Sequence, residues 1–152
     1  MPTFLERGGG WLAAQGPLTI ATVLLPPWLG RLAEGAVRLA AIALIVAGIA
    51  FFVWARRMLG KSFTPFPQPV DDGVLTTSGA YGLARHPIYT SLIVFAAGWA
   101  ILWQSIAGAV CAVILFAFFD LKSRREETWL ERKYQDYPAY RARVKRFIPG
   151  IY

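Results

Sequence analysis

A short polar motif precedes a long apolar run of this 152-residue chain, and its residue types could bind an anion. The motif reads Arg85-His86-Pro87-Ile88-Tyr89. Proline is favoured in the first turn of a helix, so Pro87 places His86, the only histidine, at or just before a helix N-terminus. The free N–H groups and the dipole there attract anions, and Arg85 adds donors. The motif predicts a carboxylate site, with an interfacial cap as the alternative for His86.

A second group of charged residues follows the last apolar run. Lys122, Glu126 and Leu130 are spaced four residues apart and share one face of a predicted helix. Glu127 and Glu131 form a second stripe on that helix. A carboxylate here could bind hydroxyl or ammonium groups, or accept a proton as a general base. The alternatives are a solvated charged face and, for Lys122, a side chain that snorkels to the lipid headgroups.

Residues 73–77, Gly-Val-Leu-Thr-Thr, are bounded by Asp-Gly and Ser-Gly turn signals and are predicted to be extended and strand-like. No neighbouring strand is predicted, so their backbone groups would be free to read the edge of a planar ligand. A surface connector is the plainer interpretation. Further along, Trp129, Tyr134, Tyr137 and Tyr140 stand among basic residues, a composition that also fits an aromatic belt at headgroup depth.

Apolar segments must position these clusters, because only 16% of the residues are charged, against about 25% in soluble domains. Residues 8–30, 39–55 and 86–119 contain no Asp, Glu, Lys or Arg. The third run is too long for one span and is predicted to turn back at Gln104 and Ser105. We expect one all-α integral membrane domain, residues 1–152, with about four transmembrane helices. They lie near residues 12–30, 37–55, 88–103 and 105–120, and a C-terminal amphipathic cytoplasmic helix follows.

Two features refine this topology. Pro17, Pro26 and Pro27 predict a broken or tilted first span, with a re-entrant or interfacial segment as the alternative. Basic residues concentrate after residue 120 and are absent from the turn at Gln104, which predicts both termini on the cytoplasmic side of a bacterial cytoplasmic membrane. The net charge of +7 is then explained by basic residues at the membrane surface, where anionic headgroups attract them. Neither nucleic acid nor a metal is expected as a partner.

The order of these motifs resembles the isoprenylcysteine carboxyl methyltransferase family and, more broadly, the phospholipid methyltransferase group of membrane enzymes. The pattern comprises residues 74–81, the Arg-His-Pro-x-Tyr motif, a helical hairpin, the Glu-Glu-x-x-Leu motif at 126–130, and residues 137–149. Arg-His-Pro-x-Tyr followed by Glu-Glu-x-x-Leu after one hairpin is a specific combination. The resemblance covers about residues 61 to 149.

The resemblance implies methyl transfer from S-adenosylmethionine to a lipid-like or membrane-dissolved acceptor, whether a carboxylate, an amine or a thiol. The implied cofactor-binding region is residues 61–89 with 120–149. By position, the implied cofactor contacts are Gly73, Val74, Leu75, Thr76, Tyr81, Arg85, His86, Pro87, Tyr89 and Glu126. Lys122 and Glu127 are the predicted catalytic residues. Lys122 stands where relatives usually have an arginine near the acceptor, and Glu126 or Glu127 could take a proton from an amine.

Two other functions are compatible with the pattern. Membrane sterol reductases share a related C-terminal architecture and use a nicotinamide cofactor, whose 2′-phosphate requires a basic cluster. A non-catalytic membrane protein of the same fold is the second alternative.

Overall fold

This computed structural model describes residues 3–152, and this part of the chain contains six α-helices. In chain order they are α1 (Gly9–Leu29), α2 (Gly35–Leu59), α3 (Ala80–Leu83), α4 (Pro87–Leu102), α5 (Ile106–Lys133) and α6 (Tyr137–Arg143). A 3₁₀ turn, Gly60–Ser62, follows α2. Residues 3–152 contain no β-strand, and 73–76 form an irregular segment. The prediction of an all-α protein is confirmed.

Three helical segments are long and apolar enough to cross a membrane: Gly9–Leu29, Gly35–Ser62 and Ile106–Lys133. Helix α4 is apolar but has 16 residues, about 24 Å at 1.5 Å per residue, which is shorter than the roughly 30 Å hydrocarbon core. The chain is therefore an all-α membrane protein. The count of four spans, the C-terminal amphipathic helix and the orientation of the termini stay predictions.

Helix α1 is continuous although it contains Pro17, Pro26 and Pro27. The predicted break is therefore wrong, whereas a tilt stays a prediction. Packing explains why the prolines are tolerated, since α1 lies against α4 and α5 and buries Thr22 and Pro26.

The chain turns back between α4 and α5 at Gln104, as predicted. Gln104 has φ 42°, and its side-chain oxygen accepts a hydrogen bond from Arg31 Nε at 3.1 Å. Ser105 caps α5, because its hydroxyl oxygen accepts the Gly108 N–H at 3.1 Å. This hairpin sets α4 antiparallel to α5. Helix α5 then continues past the apolar run to Lys133 and so carries its charged residues on one rigid helix.

Helices α2 and α4 approach closely at glycines. A Cβ at Gly48 would lie 2.9 Å from the Ser91 carbonyl oxygen and 3.0 Å from the Phe95 backbone nitrogen. A Cβ at Gly98 would lie 3.1 Å from the Ala41 carbonyl oxygen. Small residues that allow backbones to meet are the usual means of packing helices in membranes.

We expect Gly48→Ala to lower the free energy of unfolding by about 1–3 kcal/mol, because the added methyl group meets backbone that cannot rotate away. Gly16→Ala is the matched control, since nothing lies within 4 Å of its Cβ position. The control should leave the free energy of unfolding unchanged or raise it by up to about 1 kcal/mol, because alanine has a higher helix propensity than glycine. Denaturation in detergent micelles measures both variants. Equal stability of the two would contradict the close α2–α4 packing.

Candidate active site

A cavity of about 360 Å³ lies between the polar half of α5, α6 and the segment that joins α2 to α4. Its volume falls within the range of roughly 300–1,000 Å³ that is usual for small-molecule sites. Nine of the twelve predicted site residues line it: Val74, Leu75, Thr76, Tyr81, Arg85, His86, Tyr89, Lys122 and Glu126. Gly73, Pro87 and Glu127 do not line it. Residues from distant segments thus meet at one cavity.

His86 is the N-cap residue of α4, with Pro87 in the first turn, as predicted. Its ring is 5% exposed and stacks on Tyr89 with ring centroids 5.4 Å apart. Its Nε2 lies 3.1 Å from Glu127 Oε1, and its Nδ1 lies 3.9 Å from Glu126 Oε2. The ring is therefore held between two carboxylates, and Nδ1 is the nitrogen left nearer to a ligand.

Glu127 is 2% exposed and lies behind His86, where it is surrounded by cations. Arg85 contacts its carboxylate at 3.0 Å, and Arg146 at 3.3 Å. Arg141 is 3.8 Å away. A carboxylate held in this way stays ionised and orients its partners. The ion pairs favour a positioning role for Glu127 over the predicted role as a base, which stays a prediction.

The guanidinium of Arg85 already makes several contacts within the protein. Besides Glu127, its guanidinium donates to the backbone carbonyls of Arg141 and Val144. Arg85 and Lys122 are the two Arg or Lys side chains that line the cavity within residues 3–152. The basic cluster that a nicotinamide 2′-phosphate requires is not found on this lining.

Glu126 faces the cavity and is the carboxylate available to a ligand. Its Oε2 accepts a hydrogen bond from the Tyr89 hydroxyl at 2.7 Å, and its side chain keeps 25% exposure. Tyr89 itself stacks on Phe119 with centroids 4.6 Å apart, which fixes its ring. Glu126 is therefore oriented from one side and open on the other.

In the segment 73–76, the first two residues make backbone hydrogen bonds and the last two make none within residues 3–152. The Gly73 carbonyl accepts the Tyr134 hydroxyl at 2.7 Å, and the Val74 N–H donates to Ser62 Oγ at 3.0 Å. Within residues 3–152, the backbone groups of Leu75 and Thr76 make no hydrogen bond. Both residues line the cavity, so their donors and acceptors are available to a ligand.

Two tyrosines that could have formed an aromatic belt are buried in the cavity wall. Tyr137 is 1% exposed and Tyr140 is 3% exposed, so the belt interpretation is wrong for both. Burial raises the pKa of each phenol and that of Tyr81, so all three stay neutral hydrogen-bond donors. Tyr140 donates to the Tyr81 carbonyl at 2.6 Å. The buried Tyr137 hydroxyl has no partner within residues 3–152.

Lys122 is 1% exposed, which rules out the snorkelling alternative. Its ammonium donates to Gln15 Oε1 at 2.7 Å and to the Pro65 carbonyl at 3.0 Å. It also lies 5.4 Å from the centroid of the Tyr89 ring. Lys122 thereby connects α5 to α1 and to Pro65, which lies on the cavity wall in the segment that joins α2 to α4.

Sequence reasoning missed the residues that hold the C-terminal segment in place. Arg146 bridges Glu127 to Asp120, with its NH1 group 2.7 Å from Asp120 Oδ1, and the Tyr152 hydroxyl donates to the same oxygen at 2.8 Å. The backbone N–H groups of Arg85 and His86 donate to the carbonyls of Lys145 and Arg146. This segment braces the histidine motif from outside the cavity.

Comparison with known proteins agrees with this arrangement. The family model for phospholipid methyltransferase matches residues 37–137, which include nearly all of α2, the whole of α3, α4 and α5, and most of the cavity lining. The chain therefore belongs to the phospholipid methyltransferase family, a family of membrane methyltransferases.

A more particular similarity concerns protein-S-isoprenylcysteine O-methyltransferase of Schizosaccharomyces pombe. The chain is 32% identical to it over 82 residues, which cover 53% of this chain. The same stretch covers 35% of that relative, so the chain matches about a third of its length. The resemblance inferred from the sequence motifs is confirmed.

Proposed function

We propose that this protein transfers a methyl group from S-adenosylmethionine to a lipid-like acceptor at the cytoplasmic face of a membrane. One observation carries the proposal. In a chain of a methyltransferase family, the segment 74–76, the histidine motif and Glu126 converge on one cavity although up to 52 residues separate them.

The adenine would lie against residues 73–76 and the tyrosines. Two properties of the cavity support this position. The backbone groups of Leu75 and Thr76 are free to pair with the edge of a planar ring, and the Tyr137 hydroxyl is a buried donor without a partner in residues 3–152. A buried polar group without a partner costs about 1–3 kcal/mol, so a ligand that satisfies Tyr137 gains binding free energy.

The polar end of the cofactor would meet Glu126 and His86. Glu126 can accept hydrogen bonds from ribose hydroxyls or from the methionine ammonium, and Tyr89 holds it in place. His86 and the first N–H groups of α4 are donors for the methionine carboxylate. Glu127 would act behind His86 by holding its ring, and Arg85, which lines the cavity, would orient Glu127 and stays a proposed contact of the cofactor.

S-Adenosylmethionine supplies an electrophilic methyl group when it is bound, so the chain has mainly to align the acceptor and exclude water. Part of the cavity lining is apolar, as excluding water requires. Phe52 of α2 and Leu92 of α4 line it on the side of the apolar helices, and Thr19 of α1 lies there too. An acceptor with an apolar chain could enter between these helices from the bilayer.

A transfer assay tests the proposal. Purified protein in liposomes would receive methyl-labelled S-adenosylmethionine and, in separate reactions, a prenylated thioether carboxylate, a lipid amine and a long-chain thiol. We expect label to enter at least one acceptor at a rate that a boiled sample does not reach. Absence of transfer to all three classes by a folded sample would contradict the proposal.

A further inference from the structure

A groove of about 580 Å³ lies between α5 and the N-terminal end of α1, outside the cavity assigned to the methyl donor. Among residues 3–152, the two share no lining residue. Aromatic rings of Trp11, Phe118 and Trp129 line the groove, and Arg125 lies beside them. The groove is therefore a separate feature of the molecule, and the proposed methyl transfer does not use it.

The groove crosses the level at which α5 leaves the apolar run. Phe118 stands at the end of the run 86–119, and Arg125 follows about 10 Å further along the helix at 1.5 Å per residue. The headgroup layer on each side of a bilayer is roughly 5–8 Å thick. Phe118 thus meets the edge of the hydrocarbon, while the long side chain of Arg125 lies at the depth of the phosphates.

Arg125 is positioned at the rim with its donors free. Its guanidinium lies over the Trp129 ring, 4.9 Å from the centroid. Such stacking uses the flat face of the guanidinium and leaves the N–H groups at its edge available. Arg125 is exposed and forms no ion pair with any of residues 3–152. Because its planar fork matches a phosphate, the rim carries an oriented phosphate donor.

Glu6 is the acidic residue on the same lining, within the part of the chain that the structure describes. Its carboxylate accepts the Thr3 N–H at 2.7 Å and the Thr3 hydroxyl at 3.0 Å. It forms no ion pair with Arg125. One cation and one anion leave the rim without net charge, so the groove does not select an anionic head group over a zwitterionic one. The phosphate, which both kinds of lipid carry, is the group that Arg125 can recognise.

We propose that this groove binds one phospholipid of the bilayer, with its phosphate on Arg125 and an acyl chain along Trp11 and Phe118. These two rings pack with centroids 5.6 Å apart and form an apolar wall. Gly10 and Ala14 are small and leave room beside the wall. The bound lipid would contact α1 and α5 together and hold them against each other. It is a structural ligand and not the methyl acceptor, so the site is independent of the proposed transfer.

Native mass spectrometry of the purified protein in detergent counts the lipids bound per chain during a titration. The probes are phosphatidylglycerol, phosphatidylcholine, diacylglycerol and glycerol 3-phosphate. We expect both phospholipids to fill one saturable site with similar affinity. Diacylglycerol lacks the phosphate and glycerol 3-phosphate lacks the chains, so each should bind at least about tenfold more weakly.

Arg125→Gln removes the phosphate donor. We expect it to weaken the binding of both phospholipids about fivefold, the weight of one exposed charge pair. Arg143→Gln is the matched control and should keep the parental affinity. Arg143 is also exposed, forms no ion pair within residues 3–152 and does not line the groove.

Gly10→Leu fills the groove without a change in charge. Gly10 lines the groove, and nothing lies within 4 Å of a Cβ at this position, so α1 can accept the substitution. We expect about tenfold weaker phospholipid binding, because the leucine takes the place of part of the acyl chain. Gly16→Leu is the control, since Gly16 is equally open but does not line the groove, and it should bind phospholipid like the parental protein.

Thermal unfolding gives a second readout on the same proteins. A ligand that binds only the folded state raises the Tm. Phosphatidylcholine should therefore raise the Tm of the parental protein and of both controls more than that of Arg125→Gln or Gly10→Leu.

Parental phospholipid affinity in both Arg125→Gln and Gly10→Leu would overturn the proposal. Binding of phosphatidylglycerol alone would overturn it in favour of general charge attraction, and equal binding of diacylglycerol in favour of apolar contact. Equally tight binding of glycerol 3-phosphate would make the groove a site for a free phosphate ester. Each of these results leaves the proposed methyl transfer, which a separate assay measures, unaffected.

Discussion

Glu126→Gln is expected to lower the affinity for S-adenosylmethionine by about ten- to a hundredfold, the range for losing a hydrogen bond to a charged group. The carboxylate of Glu126 is held by Tyr89 and faces the cavity, so the substitution removes charge where a ligand would meet it. Glutamine keeps the size of the side chain and can still accept the Tyr89 hydroxyl. Calorimetric titration of the purified variant in detergent measures the change.

Glu127→Gln is the matched control and should show the opposite profile. Glu127 contacts Arg85, His86 and Arg146 and does not line the cavity. Removal of one partner from a buried ionic network leaves uncompensated charge and costs about 3–5 kcal/mol of stability. We therefore expect a large loss in stability and a smaller loss in affinity for the folded fraction. Equal losses of affinity for S-adenosylmethionine in the two variants would contradict the assignment of Glu126 as a cofactor contact.

Lys122→Met is expected to reduce turnover at least tenfold while the affinity for S-adenosylmethionine changes by less than about twofold. Lys122 contacts Gln15 and Pro65 at the cavity wall and is predicted to lie near the acceptor, so its loss should affect the acceptor and not the cofactor. Methionine keeps the apolar stem of the buried side chain and limits the packing defect. The loss of one charge-assisted hydrogen bond sets the tenfold scale.

Lys122→Arg should retain activity, because arginine keeps the positive charge and its planar guanidinium can donate two parallel hydrogen bonds to a carboxylate. Lys145→Ala serves as the control, since Lys145 is exposed and its side chain forms no ion pair with any of residues 3–152. Rates with labelled cofactor, measured beside binding, separate the two effects. If Lys122→Met methylates every accepted probe at the parental rate, Lys122 has no role at the acceptor.

Local sequence signals predicted the elements of this fold and much of the site. The length of the apolar run 86–119 required a turn, and Gln104 lies in it. Pro87 marked the start of α4 and so placed His86 at a helix N-terminus. The four-residue spacing of Lys122 and Glu126 placed both on one wall of the cavity. Each of these inferences used a relation between residues close in sequence.

The remaining features depend on contacts between residues far apart in sequence. Gln15 and Lys122 are 107 residues apart, and no periodicity relates them. The sequence marks Gln15 only as an amide residue within an apolar span, and this does not indicate which residue it contacts. Likewise, the spacing of Glu127 could not reveal that Arg146 and Arg85 would surround it, because the last residues of the chain fold back onto α4 and α5.

The prediction of a break at the prolines failed for a related reason. A proline weakens an isolated helix by removing a hydrogen bond, but packing of neighbouring helices can compensate for that loss. Pro26 is buried in such a contact, and α1 remains continuous through Leu29. Local propensity therefore gave the wrong answer where tertiary packing determines the conformation.

Direct binding of S-adenosylmethionine tests the account most directly. The purified protein in detergent would be titrated calorimetrically with S-adenosylmethionine and, in a second run on the same sample, with NADPH. We predict saturable binding of one S-adenosylmethionine per chain, its displacement by S-adenosylhomocysteine, and no binding of NADPH. Saturable binding of NADPH, or no binding of S-adenosylmethionine by folded protein, would contradict the assignment of this cavity as a methyl-donor site.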